Sequence, residues 1–419
     1  MGQALITGRA AALEPPSRQI FVGVIGSGGQ GTSDARALIQ QADCRVVAAC
    51  DADELHLNHL VWVINDHYKN KDCKPYHDFR DLLGRSDIDA VLIALPDHWH
   101  GAAAVAAARR KKDIYGEKPL ARTIAEQQAI VRAVQENNRI WQTGSWQRSV
   151  PTFHKAAEIV RNGLIGKVTR VEVGLPHGNG NGQFRGAHGK FLEVSTPPST
   201  LDYNFWVGPS SMMPYIEGRL HKNWRWNYNF GGGQLMDWVG HHCDIAHWGL
   251  GFDNSGPSEI EGHGEFPPYY AVWNTATRYR IELKYPDDIT MIIAGGHDDI
   301  RSGCKWIGAE GWVWVDRGGF EASNQDWRDI KQLPESQRKI QLTRSDNHFR
   351  NWLDAIKSRQ PAITPAETAH HSAIPGHLGL ISMLTGRKLR WDAPTEKILD
   401  DPEASELLTR PFRQPWTLD

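Results

Sequence analysis

The 419-residue chain reads as a two-domain α/β protein: a first domain built on a parallel sheet, then a second α/β domain built on an antiparallel one. Three observations point there. An apolar run from Phe21 to Ile25 breaks into Gly26-Ser-Gly28-Gly29-Gln30-Gly31 ahead of a helix-like segment. Short apolar strands then alternate with helical stretches to about residue 143, the pattern of a parallel sheet with helices on both faces. After Ser145 the pattern changes to aromatic clusters and short strands separated by turn signals, and the length exceeds what one hydrophobic core usually supports.

In the glycine turn, Gly26 permits a tight strand-to-helix reversal, Gly28 lets backbone approach a pyrophosphate, and Gly31 lets the helix pack closely on the strand. Gly29 and Gln30 share that turn, where unpaired N–H groups and the helix dipole favour an anion. The next strand, residues 46–50, ends at Asp51, about 20 residues past Gly31, where an acid meets the ribose hydroxyls. That carboxylate would repel a 2′-phosphate and no arginine immediately follows it, so NAD is expected over NADP. Residues 88–95 form a buried strand that stops at Leu95-Pro96-Asp97-His98-Trp99-His100, where parallel strands deliver ligand contacts. Leu95, Pro96, His98 and His100 are therefore expected beside the cofactor.

A helix over residues 102–112 follows, then a brief strand closed by Glu117-Lys118-Pro119. Pro119 biases Lys118 toward an extended conformation, which holds its amine, with Glu117 beside it, at the sheet edge. Residues 123–137 read as an amphipathic helix in which Thr123 and Glu126 make a capping box, and residues 140–144 as the last strand. The first domain is thus expected over residues 19–145, behind a flexible leader of residues 1–18.

The second domain, residues 146–392, opens with a helix over 153–162 and a strand over 167–173. Residues 177–199 are rich in Gly, Asn and Pro and too long for a turn, the profile of a binding segment or lid. Aromatic clusters follow at Tyr203, Phe205 and Trp206, then at Trp224, Arg225 and Trp226. Strand-like runs at 277–284, 290–294, 305–307 and 312–315 imply an antiparallel sheet. Helices over 347–358 and 365–385 precede a polar tail, residues 393–419.

Lysine plus arginine (47) balances aspartate plus glutamate (49), so nothing suggests nucleic acid or an anionic membrane, and a small-molecule ligand is expected. The five cysteines lack a C-x-x-C pair and read as reduced packing residues. No apolar run reaches membrane-spanning length, and the first 18 residues lack the apolar stretch of an export signal. A cytoplasmic location is expected, and a trimmed form of an exported precursor stays open as the alternative.

The second informative stretch is Gly231-Gly-Gly-Gln-Leu-Met-Asp237-Trp-Val-Gly-His241-His242-Cys-Asp244-Ile-Ala-His247, a glycine turn opening a helix. Asp237 and His241 are four apart and share one face, with Asp244 three further on. A histidine oriented by a carboxylate is a credible general base, and a lysine at a strand end can hold a hydroxyl while its proton leaves. Lys118, Asp237 and His241 are therefore the candidate catalytic residues, and His242 and His247 read as structural. Arg148, Trp224, Arg225 and His348, with Asp237 and His241, are candidates for the substrate pocket. No metal site is expected: adjacent histidines on one helix point about 100° apart and do not ligate one ion together.

The glycine turn, Asp51, Glu117-Lys118-Pro119 and Asp237-x-x-x-His241-x-x-Asp244, in this order, resemble the Gfo/Idh/MocA oxidoreductases. The likeness runs from Gln19 to about Asp392 and is nearest to a branch bearing Pro-Asp-His-Trp-His, here Pro96 to His100. It implies an N-terminal Rossmann domain and a C-terminal α/β domain with a large, open-faced, mainly antiparallel sheet, often the interface of a homo-oligomer, dimer or tetramer. It also implies catalytic roles for Lys118, Asp237 and His241. The expected function is NAD-dependent hydride transfer to or from a secondary hydroxyl of a sugar, glycoside or cyclitol. The family also contains redox-neutral glycosidases that keep their NAD, and that outcome stays open here, as does a non-catalytic NAD-binding sensor.

Overall fold

The computed structural model describes residues 19–177, 192–332 and 334–418. The leader and residues 178–191 of the glycine-rich connection lie outside them. The first domain runs Ile20–Ile25 (β1), Gly29–Leu38 (α1), Cys44–Cys50 (β2), Glu54–Tyr68 (α2), Lys74–Tyr76 (β3), Phe79–Leu83 (α3), Ala90–Ile93 (β4), Asp97–Arg109 (α4), Asp113–Gly116 (β5), Ile124–Glu136 (α5) and Trp141–Thr143 (β6). Its six strands are all parallel, in the order β3-β2-β1-β4-β5-β6. β1, β2 and β4 are apolar almost throughout because helices cover both faces. The strand order reverses between β1 and β4, which opens a crevice at their carboxyl ends, the usual place for a ligand in such sheets.

The largest shift of a boundary in this domain is at α4. α4 starts at Asp97 rather than at 102, because extended Pro96 serves as its N-cap and Asp97 complements the helix dipole in the first turn. His98, Trp99 and His100 are therefore helical and buried. The capping box forms: Thr123 Oγ1 donates to Glu126 Oε2 (2.8 Å) and accepts from Glu126 N (3.3 Å).

The second domain adds Pro151–Arg161 (α6), Val168–Leu175 (β7), Tyr203–Val207 (α7), Gly233–Leu250 (α8), Glu259–Glu265 (β8), Arg278–Lys284 (β9), Thr290–Gly295 (β10), Gly303–Gly308 (β11), Trp312–Asp316 (β12), Gly319–Ala322 (β13), His348–Ser358 (α9), Ala366–Thr385 (α10), Leu389–Asp392 (β14), Lys397–Leu399 (β15) and Pro402–Glu406 (α11). Among the described residues, nine strands form one sheet, β13-β12-β11-β7-β10-β9-β8-β14-β15. Every pairing is antiparallel except β7 with β10, so the sheet is mixed but mainly antiparallel. One face packs under α6, α8 and α10 around Val171, Tyr279, Ile281, Met291 and Trp306, all inaccessible to solvent. The other face shows the alternating partners of β9, with Arg278, Glu282 and Lys284 exposed.

The described part of the expected tail, residues 393–418, is ordered against both domains. β15 extends the sheet, and Phe412, Trp416 and Leu418 pack on the first domain, where the Trp416 and Trp99 rings meet edge to face at 4.6 Å. Three apolar side chains spaced along a polar stretch are what anchor it. The segment around α7 has its own small core of Leu201, Trp206, Val207, Leu220, Trp224 and Phe230, and Phe205 stacks on Trp99 at 5.3 Å. The five cysteines are buried and unpaired. Among the described residues, no helix is long and apolar enough to cross a membrane.

Candidate active site

A cavity of about 450 Å³ opens at the β1/β4 crevice, within the range of about 300–1,000 Å³ common for small-molecule sites. Gly26, Gly28, Gly29, Gln30, Asp51, Leu95, Pro96, Glu117, Lys118, Trp224 and Arg225 all line it. Gly26 has φ +97°, and a Cβ there would fall 2.3 Å from Ala94 O, so only glycine serves. Gly31 stands behind the turn, where a Cβ would fall 1.9 Å from Gly26 O; its part is helix packing rather than cofactor contact. At the N-terminus of α1 Gly29 faces open space, and a Cβ on Gly28 would meet only His56 Nδ1, at 4.0 Å, which leaves an anion cradle. Asp51 closes the turn: its carboxylate accepts from Ser27 N (2.6 Å) and Asp53 N (2.9 Å) and keeps lone pairs for a hydroxyl donor. A dinucleotide therefore suits the residues present.

Lys118 reaches from the end of β5 to α8, where its Nζ donates to Asp237 Oδ1 (2.9 Å) and Asp237 O (3.0 Å). Arg225 Nε donates to the same Oδ1 at 2.9 Å, with its guanidinium over the Trp224 ring at 4.3 Å. Burial opposes charge on Asp237, but Lys118 and then Arg225 outweigh it and hold the carboxyl well below the usual carboxylate range. Burial pushes Glu117 upward against the pull of Lys118, and its Oε2 accepts from Lys118 N at 3.3 Å.

His241 lies one turn beyond Asp237, outside the lining of that cavity, 5% exposed. The rings of Trp238 and Trp146 flank it at 5.7 and 6.3 Å. No Asp237–His241 hydrogen bond occurs; the carboxylate is turned to the two cations, so orientation of the imidazole by Asp237 is corrected. Nδ1 of His241 has no partner among the described residues. Burial first, then Lys118 and Arg317, pull the imidazole well below its ordinary value, so it is neutral at pH 7.

Four candidates stand elsewhere. Arg148 is sealed: it binds Asp244 through Nε and Nη2 (both 2.8 Å) and Asp253 through Nη2 (2.7 Å), with only 2% of its side chain exposed. A guanidinium so buried and so engaged is closed to a substrate, and Asp244 belongs to it rather than to the Asp237 face. His348 is buried between domains, donating from Nε2 to Thr143 O (2.7 Å) and accepting at Nδ1 from Ser149 Oγ (2.8 Å). His98 donates from Nε2 to Trp206 O (2.9 Å). The His100 nitrogens face Pro119 O (2.7 Å) and Leu95 O (2.8 Å), tying the lysine turn to the end of β4. Neither of these two histidines lines the cavity, because α4 begins early enough to carry them inward.

Arg317 lies in the turn between β12 and β13. Its guanidinium lies over the rings of Trp238 (4.5 Å) and Trp146 (4.6 Å). With the Gln147 amide turned to satisfy both neighbours, its nitrogen donates to His241 O (3.1 Å) and its oxygen accepts from Arg317 Nε (3.0 Å). Nothing in the local sequence marks Arg317, since only the sheet brings that turn to α8. His242 and His247, read from the sequence as structural, are buried and bonded to Gly174 O and the Tyr285 hydroxyl (both 2.8 Å).

Two family models cover nearly the whole chain: the oxidoreductase family's NAD-binding Rossmann fold over residues 20–145, and its C-terminal alpha/beta domain over residues 150–418. The chain belongs to the Gfo/Idh/MocA oxidoreductase family. A curated relative, glycosyl hydrolase family 109 protein 2 of Shewanella sp. (strain ANA-3), is 31% identical over 169 residues, 39% of this chain and 36% of the relative. Inositol 2-dehydrogenase 1 of Saccharopolyspora erythraea is 35% identical over 149 residues, 35% of this chain and 43% of that one. The chain thus spans less than half the length of these relatives. In fold it is similar to the WlbA dehydrogenase from Bordetella pertussis, solved with NADH and UDP-GlcNAcA, at a TM-score of 0.64 and 15% identity over 90% of this chain and 98% of that one.

Proposed function

We propose that this Gfo/Idh/MocA protein is an NAD-dependent oxidoreductase that moves hydride between the nicotinamide and a secondary hydroxyl of a sugar, glycoside or cyclitol. The observation that carries the reading is Lys118, fixed between the cavity at the glycine turn and the Asp237 carboxylate, with His241 one turn away. NAD, when bound, supplies the hydride acceptor. Gly28, Gly29 and the start of α1 hold its phosphates, and Asp51 its ribose hydroxyls. Lys118 holds the reacting oxygen through its ammonium donors. Asp237 stays ionised and pins both Lys118 and Arg225, which removes the cost of ordering them at the moment of reaction. Neutral His241 accepts the hydroxyl proton.

Incubation with NAD and a panel of sugars and cyclitols, followed by NADH absorbance, tests this; a flat trace across the panel counts against net oxidation. The resemblance to a glycosyl hydrolase family 109 protein favours a second reading, redox-neutral cleavage of a glycoside with retained NAD. Aglycone release from nitrophenyl glycosides without NADH accumulation would select it. The charged outer face of the nine-stranded sheet is the surface we assign to a homo-oligomer, which sedimentation of the purified protein checks.

A further inference from the structure

In the wall of the cofactor cavity, which His56 and His221 help to line, three ligand-type side chains converge from two parts of the chain. Asp53 is the N-cap of α2 and His56 lies one turn along that helix. His221 opens the 3₁₀ turn at His221–Trp226, in the second-domain segment that covers the cavity. A carboxylate oxygen of Asp53 and one ring nitrogen from each histidine lie within 4.8 Å of one another. Asp53 Oδ1 is committed to Leu55 N (2.9 Å), and Oδ2 stands 3.3 Å from His221 Nε2. The two imidazole rings are 4.4 Å apart.

We propose that Asp53, His56 and His221 bind a divalent transition-metal ion, zinc foremost, which clips the covering segment to the first domain. Two imidazoles and a carboxylate with one position left open are a common zinc donor set, with metal–ligand distances of about 2.0–2.2 Å. Ligand atoms this close need only small side-chain adjustments to meet around one ion. The backbone presents the site: Glu54 N donates to Thr200 O (2.8 Å), Asp202 N donates to Ala52 O (3.0 Å), and Asp53 bridges Leu201, so both halves are already registered. His221 holds φ +48°, a left-handed conformation that a non-glycine residue keeps where its surroundings demand it. Its side chain is 47% exposed, which gives an ion an entry path. Asp53 N also donates to Asp51 (2.9 Å), so the site adjoins the acid assigned to the ribose.

The test is titration of the chelator-treated full chain with Zn²⁺ against a chromophoric competitor, repeated with Co²⁺ to read the visible bands of a low-coordinate site. One equivalent per chain is expected, with affinity falling at least about tenfold (~1.4 kcal/mol) in His56→Ala and again in His221→Ala. His263→Ala, at an exposed histidine on β8, serves as the control and should bind as wild type does. A thermal melt of each metal-free variant reports folding, and the exposed His221 position decides if His56→Ala is unstable. No binding, or equal stoichiometry and affinity in wild type and His221→Ala, overturns the proposal. Metal content is read without turnover, so its failure leaves the oxidoreductase reading intact.

Discussion

Two carboxylates on α8, Asp237 and Asp244, stand two turns apart, and each binds a basic side chain brought from the first domain or its exit. Their settings differ. Lys118 and Asp237 retain 12% and 18% side-chain exposure beside an open cavity, whereas Arg148 and Asp244 retain 2% and 1% in a sealed interior. Asp237 shares its oxygen between two cations beside the cavity, while Arg148 is spread over two carboxylates and buried away from any ligand. The same chemistry thus serves reaction in one place and cohesion in the other, and access to solvent decides which.

Mutation can break this contrast. Lys118→Ala and His241→Ala should each lower kcat by about 10²–10⁴-fold, since each removes a group that handles the reacting hydroxyl. Their melting temperatures should stay near wild type, checked by steady-state rates alongside thermal melts. Arg148→Ala should do the reverse, costing about 3–5 kcal/mol of stability because Asp244 is left buried and unpaired. Denaturant unfolding measures that cost, and the rate per folded molecule should hardly move.

Smaller effects sharpen the picture. Arg225→Gln leaves Lys118 on Asp237, so a loss of about tenfold in kcat/KM (~1.4 kcal/mol) is expected. The pH profile gives the finest test. A histidine whose imidazole is held below its ordinary value stays neutral, and competent as a base, as pH falls past about 6.5. The acid limb of kcat/KM should therefore lie below that point, and a limb at or above it would show that burial and Lys118 do not set the His241 charge.

Much of the fold was legible because buried parallel strands such as Val46 to Cys50 are apolar on both faces and glycine turns have few uses. The Thr123–Glu126 box and the Asn347 cap of α9 are local features, and local signals carry far. The site was legible only where spacing along one helix mattered. Four-residue spacing put Asp237 and His241 on a shared face, but the carboxylate turned to Lys118 and Arg225, cations that tertiary folding supplies. Arg148 and His348 have the donors of a sugar pocket, and burial, which one sequence does not display, took them out of it. Arg317 was invisible because its neighbours at Trp146 and Trp238 come from distant stretches.

The most direct discrimination between the two α8 clusters is a single-turnover measurement of reduced nicotinamide with excess enzyme, NAD and a sugar substrate. It reports the first hydride transfer whether or not the hydride later returns. Wild type and Arg148→Ala should both show the burst per folded molecule, and Lys118→Ala should not. A burst that survives Lys118→Ala, or vanishes equally in folded Arg148→Ala, would contradict the assignment of the Lys118–Asp237 cluster to chemistry and the Arg148–Asp244 cluster to cohesion.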